Sequence, residues 1–209
     1  VWESARMALP LVVPALVGLA LAPSFHEGRA SLPGLVLGLV GVAVAAYLTV
    51  LALKWLLLGR VGPGSHPLWS CWCSRWDFLY VVWGRLARPV LATLEGTLVL
   101  ALLLRPFGMR LGRGVLLGPG FAQVVDPDML HFEDGATVSG MFQAHTFEDR
   151  VLKIGHLTVG VGATLGADAL AFYGTRLERG SRARPGGVAL KGEVLAAGRD
   201  HAGVPLRPL

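Results

Sequence analysis

The chain has 209 residues, long enough for one or two domains, and is 53% hydrophobic and only 16% charged, with a mean hydropathy of +0.56. That composition excludes a disordered chain and argues against a wholly soluble one. Nineteen Lys and Arg against 14 Asp and Glu leave a formal charge of +5, a balance that suits nucleic acid or an anionic bilayer. The apolar content selects the bilayer, so no nucleic-acid partner is expected.

The first half of the chain is the apolar one. Met7 to Ala22 is an uninterrupted apolar run containing Pro10 and Pro14, and Leu35 to Leu53 is a longer run without charge. Crossing about 30 Å of hydrocarbon takes roughly 20 residues, and both runs are read as spans. The short connection Pro23 to Pro33, with Glu27 and Arg29, makes them an antiparallel hairpin over 1–60. Two internal prolines and the absence of a small-x-small cleavage site argue against a cleaved leader at the first run. Arg6 precedes the first span and Lys54, Arg60, Arg75, Arg85 and Arg88 follow the second, which by the positive-inside rule puts both outer ends in the cytoplasm. The chain begins at Val1 rather than Met and is read as a piece of a longer protein.

Residues 61–108 are expected to link. Gly59 to Pro67 carries a loop signal. Trp69, Trp72, Trp76, Tyr80 and Trp83 then recur at three- and four-residue steps, which line one side of a helix. Two readings of that stripe stay open, an interfacial helix and a packing seam inside the protein. Arg88-Pro89 is expected to break the helix. Val90 to Leu104 is apolar but short and contains Glu95, so it is read as a cover for one end of the next domain rather than as a third span. Cys71 and Cys73 are the only cysteines, fall on different sides of a helix, and have no Cys or His pair at zinc spacing, so neither a disulfide framework nor a metal site is expected.

From Leu111 the period changes to six. Leu111, Leu117, Phe132, Val138 and Ala144 keep this step, and Val159, Leu165, Ala171, Leu177, Ala183 and Ala189 run at strict six-residue spacing, with the small residues Ala163, Ala169, Thr175, Ser181 and Gly187 four positions after them. Neither helical nor alternating-strand periodicity produces this. A triangular solenoid does: each hexapeptide forms one side, an aliphatic residue points inward, and small residues turn the corners. The expected fold is therefore a membrane helical hairpin with linking helices, then a parallel β-helix over 109–209. Residues 111–192 would form roughly four to five coils, closed by 192–198 and Gly203-Val204-Pro205.

The sextets break at Ala122 to Asp128 and at Phe147 to Lys153, and insertions in solenoids tend to carry binding residues. The second break holds His145-Thr146-Phe147-Glu148-Asp149-Arg150. A histidine can take a proton near neutral pH, and nearby acids can orient its ring, as acyl transfer to an amine requires. His145 is thus the candidate base, Glu148 or Asp149 the orienting acid, and Arg150 the holder of a substrate carboxylate or a brace for the loop. His131, Glu133 and Asp134 read as a solvated edge. Arg176, Arg179, Arg182 and Arg184 read as a solvated outer face, with Arg176, Arg182 and Arg184 the weaker candidates for holding phosphates of a phosphopantetheine arm or coenzyme A. Gly160 to Gly166 reads as solenoid corners.

These motifs together carry a resemblance. The membrane hairpin, Lys54-Trp55, Gly59-Arg60, Pro63-Gly64, His66-Pro67-Leu68-Trp69, Gly108 to Val115, Asp134 to Val138 and His145 to Arg150 resemble the C-terminal region of poly-lysine-synthetase-type nonribosomal peptide synthetases. The resemblance implies a left-handed β-helix of acetyltransferase type, anchored in the bacterial inner membrane with the β-helix in the cytoplasm. It implies adenylation and carrier domains upstream, a phosphopantetheine-tethered thioester (or coenzyme A) as donor, an amine acceptor, and sister β-helix domains forming a trimer or pseudo-trimer. The sequence departs from the family at Glu148, where the pattern has a second His, and its terminal Gly-Val-Pro stands in place of the Gly-Asn-Pro common among hexapeptide acyltransferases. Two further readings follow: a non-catalytic scaffold sector of such a synthetase, and a stand-alone coenzyme A-dependent membrane acetyltransferase.

Overall fold

The computed structural model describes residues 32–122, 124 and 126–209. The expected first span and its connection to the second lie outside the described residues. Helix α1 (Leu32–Leu57) takes up the second expected span. Its 26 residues measure about 39 Å at 1.5 Å per residue. It is the one described helix long and apolar enough to cross a membrane. It stops where Gly59 turns left-handed, with the Leu58 and Gly59 amides donating to the Lys54 carbonyl, a glycine-terminated C-cap. Ala46, Val50 and Lys54, one stripe at four-residue steps, are its buried residues.

Strand β1 (Gly64–Pro67) occupies half of the expected loop, because its backbone finds an antiparallel partner far along the chain. Helix α2 (Cys71–Val82) is capped by the Ser70 hydroxyl, which accepts from the Cys73 amide. Arg88-Pro89 does not break the helix as expected. A π-helical turn, Trp83–Ala87, leads into α3 (Arg88–Ala92), and the Arg88 amide donates to the Trp83 carbonyl. Widening the turn accommodates the proline, whose missing N–H and bulky ring would disrupt a regular α-helical turn. The aromatic stripe packs as a seam: Trp76 and Trp83 are buried and Trp72 stacks on His66 at 3.6 Å, whereas Trp69 is 91% exposed. Helix α4 (Leu98–Leu104) buries Leu100, Ala101 and Leu104. With Gly96 donating to the Leu117 carbonyl, this region covers the first coil of the next layer.

That layer is a three-sided parallel β-helix. One face stacks β2 (Arg110–Leu111), β4 (Leu130–Phe132), β9 (Leu157–Val159), β12 (Arg176–Leu177) and β15 (Val194–Leu195). The second stacks β3 (Leu116–Leu117), β5 (Thr137–Val138), β10 (Thr164–Leu165), β13 (Arg182–Ala183) and β16 (Asp200–Ala202), with β17 (Arg207–Pro208) antiparallel at its end. The third stacks β6 (Met141–Gln143), β11 (Leu170–Phe172) and β14 (Val188–Ala189). Residues at the six-residue step form the inner columns, for example Leu111, Phe132, Val159, Leu177 and Leu195 in register. From Leu117 to Ala189 the expected inward residues are buried.

Two expectations are corrected. Residues 192–198 are a further rung rather than a closing segment, since the step continues to buried Leu195 and His201. On the third face Phe142, not Ala144, is in register with Ala171; Ala144 is buried two residues further on, where the chain leaves the coil. Coils approach closely: a Cβ on Gly160 would lie 2.8 Å from the Leu177 carbonyl oxygen of the next rung. The second break is a hairpin, β7 (His145–Glu148) and β8 (Val151–Ile154), and β1 adds to β8 as a third strand. The hydrophobic core is continuous from α1 through the linking helices into the β-helix.

Candidate active site

His145 opens β7, immediately after buried Ala144. The hairpin alternates side chains, so His145 and Phe147 share one side of the strand and Thr146 and Glu148 the other. The residue that meets His145 is Asp126, in the first break, at the N-cap of a short 3-10 helix, Pro127–Met129. The His145 Nδ1 to Asp126 Oδ2 distance is 2.5 Å, and the two side chains are 24% and 2% exposed. The other carboxylate oxygen, Oδ1, accepts from the Trp76 indole N–H at 2.8 Å.

An indole nitrogen only donates. Asp126 therefore accepts at Oδ1, and an ionised carboxylate accepts at Oδ2 as well. The imidazole then carries its proton on Nδ1 and keeps a lone pair on Nε2. The Trp76 and Phe147 rings meet the imidazole edge to face, with centroids 4.8 and 5.8 Å away. Ring position and tautomer are thus set by three separate stretches of chain: the aromatic helix α2, the first break and the hairpin.

His145 lies between two cavities. One, of about 290 Å³, is lined by Tyr80, Asp126, Phe142, Gln143 and His145 among others. The second, more open and about 840 Å³, is lined by His145, Phe147, Glu148, Phe172 and Lys191 among others. A histidine that lines two cavities can be reached by two reactants.

The other expected site residues lie elsewhere. Glu148 lines the open cavity, but its carboxylate accepts from the Thr146 hydroxyl at 2.7 Å and from Lys153 Nζ at 2.8 Å, and it pairs with Lys191. Asp149 and Arg150 form the exposed tip of the hairpin, with φ of +49° and +62°, the left-handed pair that a two-residue turn requires. The Arg150 backbone carbonyl accepts from the Leu68 amide at 2.9 Å. The carboxylate that touches His145 is thus Asp126 and neither Glu148 nor Asp149, because strand alternation and the turn direct those two away. Trp76 was read only as part of the aromatic stripe and Asp126 only as part of the first break; nothing local showed that they meet, since their contact spans 50 positions of sequence.

Arg176 pairs with Glu178 at 2.9 Å; Arg184 and Arg182 approach Asp200 at 2.7 and 3.8 Å. All three arginine side chains are more than half exposed and sit on two faces of the coil, the solvated reading of that stretch. At the edge read as solvated, Asp134 accepts from the Arg113 amide and Glu133 from the Val161 amide. The His131 and His156 rings lie 4.6 Å apart. Burial holds the His131 imidazole below its usual value, helped by the charge on His156 and on Arg110. His66 is lowered by burial, and the Cys73 thiol is raised by burial and by Asp77. Among the described residues no group of three or more His, Cys, Asp or Glu is placed to hold a metal ion.

No protein-family model matches the sequence. The chain is 30% identical over 168 residues, 79% of its length, to a delta-poly-L-ornithine synthetase of Acinetobacter baumannii (strain AB307-0294). It spans 12% of the length of that relative. The resemblance to poly-amino-acid synthetases read from the motifs thus has a homologue behind it. Similar solved structures include a maltose O-acetyltransferase from Clostridium difficile 630, 10% identical over 80% of this chain and 87% of that one, TM-score 0.41. A hexapeptide-repeat-containing acetyltransferase from Vibrio cholerae is 11% identical over 80% and 90%, TM-score 0.41. An N-acyltransferase from Bacillus cereus is 15% identical over 47% and 57%, TM-score 0.35.

Proposed function

We propose that this chain is the membrane-anchored, amide-bond-forming sector of a larger nonribosomal synthetase, moving an aminoacyl or acyl group from a thioester to an amine. The observation that carries the reading is the Asp126–His145 contact at 2.5 Å beside two cavities. It leaves a basic nitrogen where a donor and an acceptor can meet.

In this reaction the acceptor amine attacks the thioester carbonyl carbon while His145 Nε2 takes the amine proton. The C–N bond forms, the C–S bond breaks, and the departing thiolate takes the proton back from the imidazolium. Asp126 holds the tautomer and balances the charge that the ring acquires. The relative's name supports an amino acid as the acceptor class. The donor is read as a phosphopantetheine-tethered thioester, or coenzyme A, with carrier and adenylation domains supplying it. Lys191, at the open cavity, is the cation best placed for an anionic group of either substrate. The coil is read as left-handed and its partners as sister β-helices in a trimer or pseudo-trimer. Helix α1 is read as its bilayer anchor, in the bacterial inner membrane, with the β-helix on the cytoplasmic side.

A positioned base contributes about 10²- to 10⁴-fold. His145→Ala is therefore expected to lower turnover of a thioester donor by that order while the circular-dichroism spectrum stays unchanged. Full turnover by a folded His145→Ala protein would remove the base and leave a scaffold sector as the better reading.

A further inference from the structure

The geometry of α1 points to a second lipid contact, and this inference rests on the bilayer reading of that helix. Residues 32–45 come before its first buried residue, Ala46. That is a rise of about 21 Å, against about 30 Å of hydrocarbon to cross. The helix gains little upstream, since Glu27 and Arg29 lie just before Leu32. A crossing helix must therefore hold roughly six more residues, to about Leu51, within the hydrocarbon. In that stretch the body is already attached: the Tyr47 hydroxyl donates to the Leu103 carbonyl at 2.9 Å, and the Tyr47 and Phe107 rings meet edge to face. Whatever stands beside Tyr47 is at membrane depth with it.

What stands there is built for lipid. Helix α4 keeps Leu100, Ala101 and Leu104 for the core and turns Leu98, Val99 and Leu102 outward at 57, 48 and 56% exposure. Between exposed Arg88 and exposed Arg105 no charged side chain is exposed. The one charge in that interval, half-buried Glu95, accepts at Oε1 from the Gly120 and Ala122 amides at 3.0 and 3.1 Å. The hydroxyls of Thr93 and Thr97 are spent on the carbonyls of Val90 and Leu94. Such internal pairing suits a surface without water. Arginines at both ends of the segment suit the headgroup level, where their stems can reach back along apolar surface.

We propose that the outer face of Leu98–Leu104 is immersed in the acyl chains of the same leaflet that receives the C-terminal half of α1. The cover of the β-helix would then rest in the membrane rather than hang below it on a tether.

The test uses the full chain with Cys71→Ser, Cys73 being buried, reconstituted in phosphatidylglycerol–phosphatidylethanolamine vesicles. A nitroxide is placed by cysteine substitution at Val40, at Leu102 or at Val194. The expected result is preferential relaxation by oxygen over an aqueous nickel chelate at Val40 and Leu102, and the reverse at Val194; Leu98 serves as a second site on the same face. Relaxation by the nickel chelate at Leu102 with oxygen preference kept at Val40 overturns the proposal but leaves the anchor. Nickel access at both overturns the anchor as well. A Leu102 label shielded from both agents overturns the lipid occupant in favour of a protein one.

Discussion

Asp126 holds its histidine because both of its oxygens are occupied by donors from distant parts of the chain, one an indole that can only give a proton. A neutral imidazole in this contact carries its proton on Nδ1, towards the acid. His145 stood out in the sequence because it follows an apolar alanine at a break in the period. Asp126 did not: it sits in a break of mixed composition, and the contact that gives it a role spans 19 positions. Acid stability is expected to depend on a different histidine. Burial and the charge on His156 keep His131 below its usual 6.5. The folded imidazole therefore resists a proton that the unfolded one accepts from about pH 6.5 downward. Its contribution to stability is complete above that pH and is lost as pH falls towards the lower folded value. His131→Gln in detergent should accordingly lose less melting temperature than the native chain between neutral and mildly acidic pH; an equal loss in both would place the acid sensitivity elsewhere, with half-buried His66 the next candidate.

At the scale of elements, the hexapeptide rungs carry the fold through one buried side chain each, repeated in register. Leu177 lies between Val159 and Leu195 and is fully buried. Leu177→Ala should cost about 2–5 kcal/mol, the ordinary range for a leucine cavity, read as a fall in the unfolding midpoint. A change below 0.5 kcal/mol, typical of surface substitutions, would mean the column is not the core. The six-residue period was visible because each rung obeys the same packing rule, whatever its neighbours. The hairpin was not visible as such. Its turn, Asp149-Arg150, lacks the Asn or Gly that usually marks a left-handed pair, and its third strand comes from Gly64–Pro67, whose glycines and prolines read locally as loop. The π-helical turn before Pro89 escaped for a related reason, since a proline predicts a break and only packing decides whether the helix widens instead.

Across the whole molecule, one short segment ties the long apolar helix to the candidate site. Asp126 meets His145, and two residues on, Asp128 pairs with Lys54 of the apolar helix at 2.9 Å, both side chains almost fully buried. Lys54 had counted among the charges that follow the second apolar run; its burial instead makes it a clasp between helix α1 and Asp128 of the first break. Removing one partner of such a pair costs about 3–5 kcal/mol, whereas replacing both with apolar groups is often neutral. Lys54→Met should therefore lower the melting temperature in detergent, and adding Asp128→Leu should restore it. Failure of the double variant to recover would show that the two charges are not paired. The account as a whole turns on which acid serves His145, and turnover of Asp126→Asn compared with Glu148→Gln tests that most directly. The account predicts that Asp126→Asn loses about 10²- to 10⁴-fold, the worth of a working base, while Glu148→Gln loses far less. The opposite ranking, or native turnover in folded Asp126→Asn, would contradict it.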